Sequence, residues 1–185
     1  MRLKPFVFFT LVGLLAVFAI YRQSLAPDAT LIGSQAPDFE LKNRNGEVVR
    51  LSDYEGNLVF LNFWATWCLP CVDEMPDMMQ LQERFEGRPF KILTVSVDTS
   101  WEAVDDFYEE HNLDFLTLLD PGRQIADRYK LTGQPETFLI DGDGTVRNKF
   151  FGDPRWLRPE RLAELESLVS EQEAGALSQT GRVGD

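Results

Sequence analysis

Hydrophobic and polar positions along the chain switch several times between a period of two and a helical period. From Asp38 onward Phe39 and Leu41 alternate with polar residues, Asn45-Gly46 supplies a type I′ turn, and Val48-Val49 returns, which predicts a β-hairpin. Asp53-Tyr54-Glu55-Gly56 closes a short turn, and the apolar run from Leu58 to Trp64 reads as a buried central strand. Beyond it Cys71, Met75, Met78 and Phe85 recur at spacings of four, three and seven, with Leu81 beside them, so a helix to about Phe85 follows. Phe90 to Val97 is a second buried strand, Trp101 to His111 a helix with an acidic face, and Phe115 to Leu119 a short strand. Asp120 is the expected cap of a helix from Pro121 to about Tyr129, with proline at its first position. Thr137 to Ile140 and Thr145 to Phe151 form a hairpin around Asp141-Gly142-Asp143-Gly144. Pro159 opens a last amphipathic helix with Leu162, Leu165, Leu168 and Val169 inward, expected to fray from Gly175. Strands alternating with helices, then a closing hairpin and helix, predict an α/β sandwich with a mixed sheet.

The N-terminus departs from this pattern. Arg2 and Lys4 precede an uncharged run from Pro5 to Tyr21. As a helix that run spans roughly 25 Å, short of the ~30 Å hydrocarbon core by an amount that Lys4 and Arg22 can cover by snorkelling. A cleavable signal peptide is the alternative, with Ser24-Leu25-Ala26 as its cleavage site, but Pro27 would then follow the cut. With no cysteine near the run, a lipoprotein anchor is excluded. The expected organisation is an uncleaved anchor over 1–25, a tether over 26–35, one folded domain over 36–173 and a flexible tail over 174–185. Arg2 and Lys4 orient the anchor in the cytoplasmic membrane with the domain on the outer side, where disulfides form and persist.

The chain has 185 residues, 44% of them hydrophobic, enough for one real core with flanking segments. Its formal charge of −12 suits no polyanion, so nucleic-acid binding is excluded as a function class.

Both cysteines, Cys68 and Cys71, lie where the central strand ends and the next helix begins. Two thiols separated by two residues at a helix start can close a small disulfide ring, and the first of them sits among unpaired N–H groups at the positive end of the helix dipole. Free cysteine titrates near pKa ~8.5 and such helix N-termini lower it, which makes Cys68 the candidate nucleophile and Cys71 the resolving thiol. Half of a zinc site has the same spacing, but the chain has no third cysteine and its only histidine, His111, lies forty residues downstream. No metal and no cofactor beyond a redox-active Cys68–Cys71 disulfide is expected. Glu74, three positions after Cys71, projects from the same helical face and is placed to hold or release a thiol proton; the plain alternative is an acid favoured by the helix dipole. Trp67 should shield one side of the thiols. Pro76 should kink the helix, and Trp101, Trp156 and the methionines read as core or surface filler.

Phe63-Trp64-Ala65-Thr66-Trp67-Cys68-Leu69-Pro70-Cys71 resembles the active site of thioredoxin-like proteins, and the surrounding residues resemble their membrane-tethered extracytoplasmic branch, the TlpA/ResA/CcmG (DsbE) reductases. The resemblance runs from about Ala36 to about Leu168. It is carried by Ala-Pro-Asp-Phe-Glu-Leu (36 to 41), Leu-Ser-Asp-Tyr-Glu-Gly (51 to 56), the cysteine motif with Glu74 and Pro76, and Gly-Gln-Pro-Glu-Thr-Phe-Leu-Ile-Asp (133 to 141). It implies a thioredoxin fold, a three-layer sandwich with an N-terminal β-hairpin and a central helix–strand insertion between Val97 and Asp120. It further implies that Pro135 is cis and faces the disulfide, with Gln134 offering backbone groups to an extended client, and that Glu74 serves proton transfer. Six positions before Cys68, where thioredoxin itself carries a buried acid, this chain has Asn62, which shifts acid–base duty towards Glu74. The implied partners are a membrane thiol transporter of the CcdA/DsbD kind as electron donor and client disulfides, apocytochrome c among them.

Direction follows from how strongly the thiolate is stabilised. Leu69-Pro70 lies between the cysteines, no histidine or lysine is near in sequence, and Asp73, Glu74 and Asp77 in the first helical turns oppose the dipole. A modestly lowered Cys68 pKa and a reductase are therefore expected. Three other classes compete. A peroxiredoxin needs a threonine where this chain has Ala65, a Cu(I)-handling protein would use Cys68 and Cys71 as soft ligands, and a scaffold would use neither thiol.

Overall fold

The computed structural model describes residues 31–152 and 155–180. The expected anchor, Pro5 to Tyr21, lies outside the described residues, and among the described residues no helix is long and apolar enough to cross a membrane. The described residues form one mixed sheet of β1 (Glu40–Asn43), β2 (Val48–Arg50), β3 (Leu58–Trp64), β4 (Phe90–Ser96), β5 (Thr117–Leu119), β6 (Glu136–Ile140) and β7 (Val146–Phe151). The spatial order is β2-β1-β5-β4-β3-β6-β7. The α-helices are α1 (Leu69–Arg84), α2 (Trp101–His111), α3 (Gln124–Arg128) and α4 (Pro159–Thr180).

Parallel pairing of β3 with β4 and of β4 with β5 requires crossovers, and right-handed crossovers in the same direction put α1 and α2 on one face of the sheet. Helix α4 joins them there: Arg84 and Arg88 pair with Glu166, and Arg88 also with Glu173. The opposite face is covered by α3 and its last turn, where Tyr129 packs on Phe39, Phe63 and Phe138. Strand β3 is buried along its whole length, because helices cover both faces and strands flank both edges. Its side chains alternate accordingly: Phe60 meets Trp156 and Trp64 stacks on Tyr108, while Phe63 meets Tyr129. The three-layer arrangement, the β1–β2 hairpin and the α2–β5 insertion agree with the thioredoxin-like expectation.

Four local expectations are corrected. Asn45-Gly46 is not a type I′ turn, since of these two residues only Gly46 has positive φ (+81°) and Gly46 N bonds to Asn43 O. Asn43 organises the loop instead: its Oδ1 accepts from the Asn45 and Glu47 amides, which favours a turn followed by a glycine bulge. Helix α3 starts at Gln124 rather than Pro121, after Arg123 takes a left-handed conformation. Asp120 still caps it, with Oδ2 accepting from the Ile125 and Ala126 amides across the Pro121-Gly122 turn. Residues 31–35, expected as the end of a tether, are bonded to the β6–β7 hairpin: Gly33 N to Val146 O at 2.7 Å and Val146 N to Ser34 O at 2.9 Å. Helix α4 continues through Gly175 to Thr180.

Candidate active site

The C-terminal ends of β3, β4 and β7 and the N-terminal end of β6 lie at one end of the sheet, as the pairings Trp64↔Ser96, Phe63↔Glu136 and Glu136↔Phe151 require. The chain leaving β3 turns through Ala65–Cys68, where Cys68 N donates to Ala65 O at 3.1 Å, and enters α1 with Cys68 as the capping residue. Pro70 is tolerated in this first turn because its missing N–H has no intrahelical partner there. Cys68 and Cys71 are joined, with an S–S distance of 2.08 Å and Cα atoms 5.3 Å apart. Cys71 is fully buried, whereas Cys68 keeps 6% of its surface in contact with solvent. The first turn of α1 contains no acidic residue. Asp73 and Asp77 therefore oppose the dipole less than expected from the sequence, since that field falls off within one turn.

Glu74 is buried one turn beyond Cys71. Its Oε1 accepts from Asn62 Nδ2 at 2.7 Å and its Oε2 from Trp156 Nε1 at 3.0 Å. Asn62 Nδ2 also donates to Thr137 Oγ1 at 3.0 Å, so β3, β6, α1 and the segment before α4 converge on one buried polar cluster around Glu74. A buried carboxylate is tolerated only when bonded in this way. Trp156 was legible only as filler because its role depends on a contact across more than eighty residues of sequence. Replacing it by Phe keeps ring contacts with Phe60 and Phe150 but removes the donor. The W156F variant is expected to lose about 2 kcal/mol in urea unfolding. An unchanged midpoint would show that Glu74 does not depend on the indole.

A second buried carboxylate supports the cysteine turn. Asp98, just past β4, accepts from Thr66 N and Thr66 Oγ1, both at 2.9 Å, and from Ser96 Oγ at 2.7 Å. Thr66 lies two residues before Cys68, so Asp98 fixes the turn that carries Cys68 into α1. Its signal in the sequence is an acid placed just after a buried strand, a pattern that does not by itself mark a partner.

The Gln134–Pro135 peptide is cis. Gly152 N donates to Pro135 O at 3.0 Å, which ties the end of β7 to this loop. Gln134 Nε2 is buried without a partner among the described residues. Glu136, also buried, accepts from Thr132 N and Thr132 Oγ1 at 2.8 and 2.6 Å and pairs with Lys149 Nζ at 2.7 Å, so it braces the loop rather than facing the sulfurs. Trp67, next to Cys68 in sequence, is 66% exposed. Among the described residues no group of three or more His, Cys, Asp or Glu side chains converges as a metal site would require.

Residues 32–149 match the AhpC/TSA family. The chain is 36% identical over 137 residues to the thiol-disulfide oxidoreductase ResA of Bacillus cereus, covering 74% of this chain and 79% of that one. It is 42% identical over 114 residues to ResA of Bacillus subtilis, covering 62% of this chain and 64%, just under two thirds, of that one. Among solved structures, a candidate thiol:disulfide interchange protein DsbE from Chlorobium tepidum superposes with a TM-score of 0.66 at 34% identity, over 76% of this chain and 96% of that one. With a Cys-x-x-Cys disulfide at a strand–helix junction of a thioredoxin-like sheet, the chain belongs to the AhpC/TSA family, among the ResA-type thiol-disulfide oxidoreductases.

Proposed function

We propose that this protein reduces disulfides in client proteins at the outer face of the cytoplasmic membrane, with Cys68 attacking, Cys71 resolving and Glu74 carrying the proton. The observation that supports this most is the unequal setting of the two sulfurs. Cys68 reaches solvent at the helix N-terminus, while Cys71 is sealed inside, one turn from a bonded carboxylate. In the reduced protein the Cys68 thiolate attacks one client sulfur, which forms a mixed disulfide and releases the other client sulfur as a thiolate. Cys71 then gives its proton to Glu74 and attacks Cys68 Sγ, releasing the second client thiolate and closing the internal disulfide. Two electrons pass to the client, and a dithiol donor must return two to the protein.

Direction is supported by what surrounds Cys68: the helix N-terminus alone favours the thiolate, with no basic side chain in the first turn of α1, and a strong oxidant needs more stabilisation than that. The uncharged run from Pro5 to Tyr21 supports membrane anchoring, and the kinship with the ResA and DsbE proteins supports a part in cytochrome c maturation. Apocytochrome c is then the client and a membrane thiol transporter of the CcdA/DsbD type the donor. The C71S variant tests the order of attack. Incubated with an oxidised peptide carrying the haem-attachment cysteines, it should accumulate a mixed disulfide through Cys68 that C68S cannot form. Equal trapping by both variants would overturn the assignment.

A further inference from the structure

Asp98 is a buried acid, and among the described residues no Lys, Arg or His forms an ion pair with it. Keeping a carboxylate out of water without a cation beside it is expensive. The bonds it makes do not require the charge. Its Oδ2 accepts from Thr66 N and Ser96 Oγ, and its Oδ1 from Thr66 Oγ1. An asparagine there could set its Oδ1 on the first two donors and point its Nδ2 at Thr66 Oγ1, because a hydroxyl accepts as well as donates. A neutral side chain would thus serve the architecture, and what aspartate adds is a negative charge.

That charge falls close to the attacking sulfur. The carboxylate is 2.9 Å from Thr66 N, and the chain from Ala65 to Cys68 is folded back on itself, with Cys68 N on Ala65 O at 3.1 Å. Two residues of chain separate Thr66 from Cys68, at most roughly 7 Å between their Cα atoms, which brings Asp98 to on the order of 10 Å from Cys68. Over such a distance, at the effective dielectric that describes protein sites, one charge biases another by about tenfold in an equilibrium constant. The acids on α1 act differently: Asp73 and Asp77 lie beyond its first turn, and Glu74 is bonded to Asn62 and Trp156. Asp98 reaches the turn from another strand.

We propose that Asp98 is a positioning residue with a redox duty: its buried charge disfavours the Cys68 thiolate and so keeps the Cys68–Cys71 pair reducing. A less stable thiolate makes the dithiol a better electron donor, the converse of strong oxidants, whose reduced form is stabilised. This deepens the reading of the protein as a reductase of protein disulfides and rests on it.

The test is the equilibrium of the full-length protein with glutathione. Two glutathione thiols pass two electrons and two protons to the Cys68–Cys71 disulfide and leave joined as glutathione disulfide. D98N should shift that equilibrium about tenfold towards the dithiol, which corresponds to a potential about 30 mV less negative. D98S, a second neutral replacement, should shift it in the same direction. T66V removes the hydroxyl bond and loosens the turn but keeps the charge, so it should leave the equilibrium where it is. No shift in either neutral variant, or a T66V shift as large as that of D98N, overturns the assignment of Asp98 and leaves the reductase reading standing. That reading falls separately, if glutathione reduces the wild-type protein as readily as it reduces a strong oxidant.

Discussion

The E74Q variant should reduce a client disulfide about 10²-fold more slowly at neutral pH, the scale on which a positioned proton acceptor contributes. Glutamine fills the same space and can still accept from Asn62 Nδ2, but it cannot take a thiol proton, and its amide confronts Trp156 Nε1 donor to donor. The loss should fall on one step. Attack by Cys68 on the client needs no proton from the interior, so the mixed disulfide should form at nearly the wild-type rate and then persist, because buried Cys71 has lost the carboxylate proposed to take its proton. Rapid-mixing experiments that follow both steps across a range of pH decide this. If mixed-disulfide resolution in E74Q matches the wild type and keeps its pH dependence, Glu74 is a structural anion only.

The largest loss of stability among the site residues should come from D98A, about 4 kcal/mol in urea unfolding, because three donors lose one charged acceptor at once. Thr66 and Ser96 hydroxyls can turn to other partners, but the Thr66 amide belongs to the turn between β3 and α1 and has no such freedom. The variant should also exchange disulfides more slowly, since the turn that presents Cys68 is no longer pinned to β4. D98N, which keeps an acceptor oxygen and the side-chain volume, should recover much of the stability. If D98A unfolds at the wild-type denaturant midpoint, the turn is held by its own backbone bonds.

Much of this architecture is legible in residue order. The apolar run Leu58 to Trp64 can only be satisfied by a strand covered on both faces, and the spacing of Met75, Met78, Leu81 and Phe85 states which side of α1 is inside. The thiol pair is readable because strand, cysteine spacing and helix start coincide, and the resemblance to thioredoxin-like proteins adds Pro135, which no local pattern marks. What the sequence leaves hidden is where distant polar atoms meet. Trp156 looks like any core tryptophan until its indole N–H is found on Glu74, and Asp98 looks like a strand-end acid until it is found under Thr66. Turn boundaries are hidden for a related reason. At Asn43 and at Asp120 a side-chain carbonyl or carboxylate captured backbone amides two to six residues away and moved the boundary, which propensity alone does not foresee.

The bond from Trp156 to Glu74 also bears on synthesis. The indole enters the chain some eighty residues after the carboxylate it holds, just ahead of the final helix. A nascent polypeptide that has emerged only as far as the seventh strand already owns both sulfurs, yet the acid behind them is not seated. The polar cluster behind the disulfide is therefore completed only once the segment between the seventh strand and the final helix has been added.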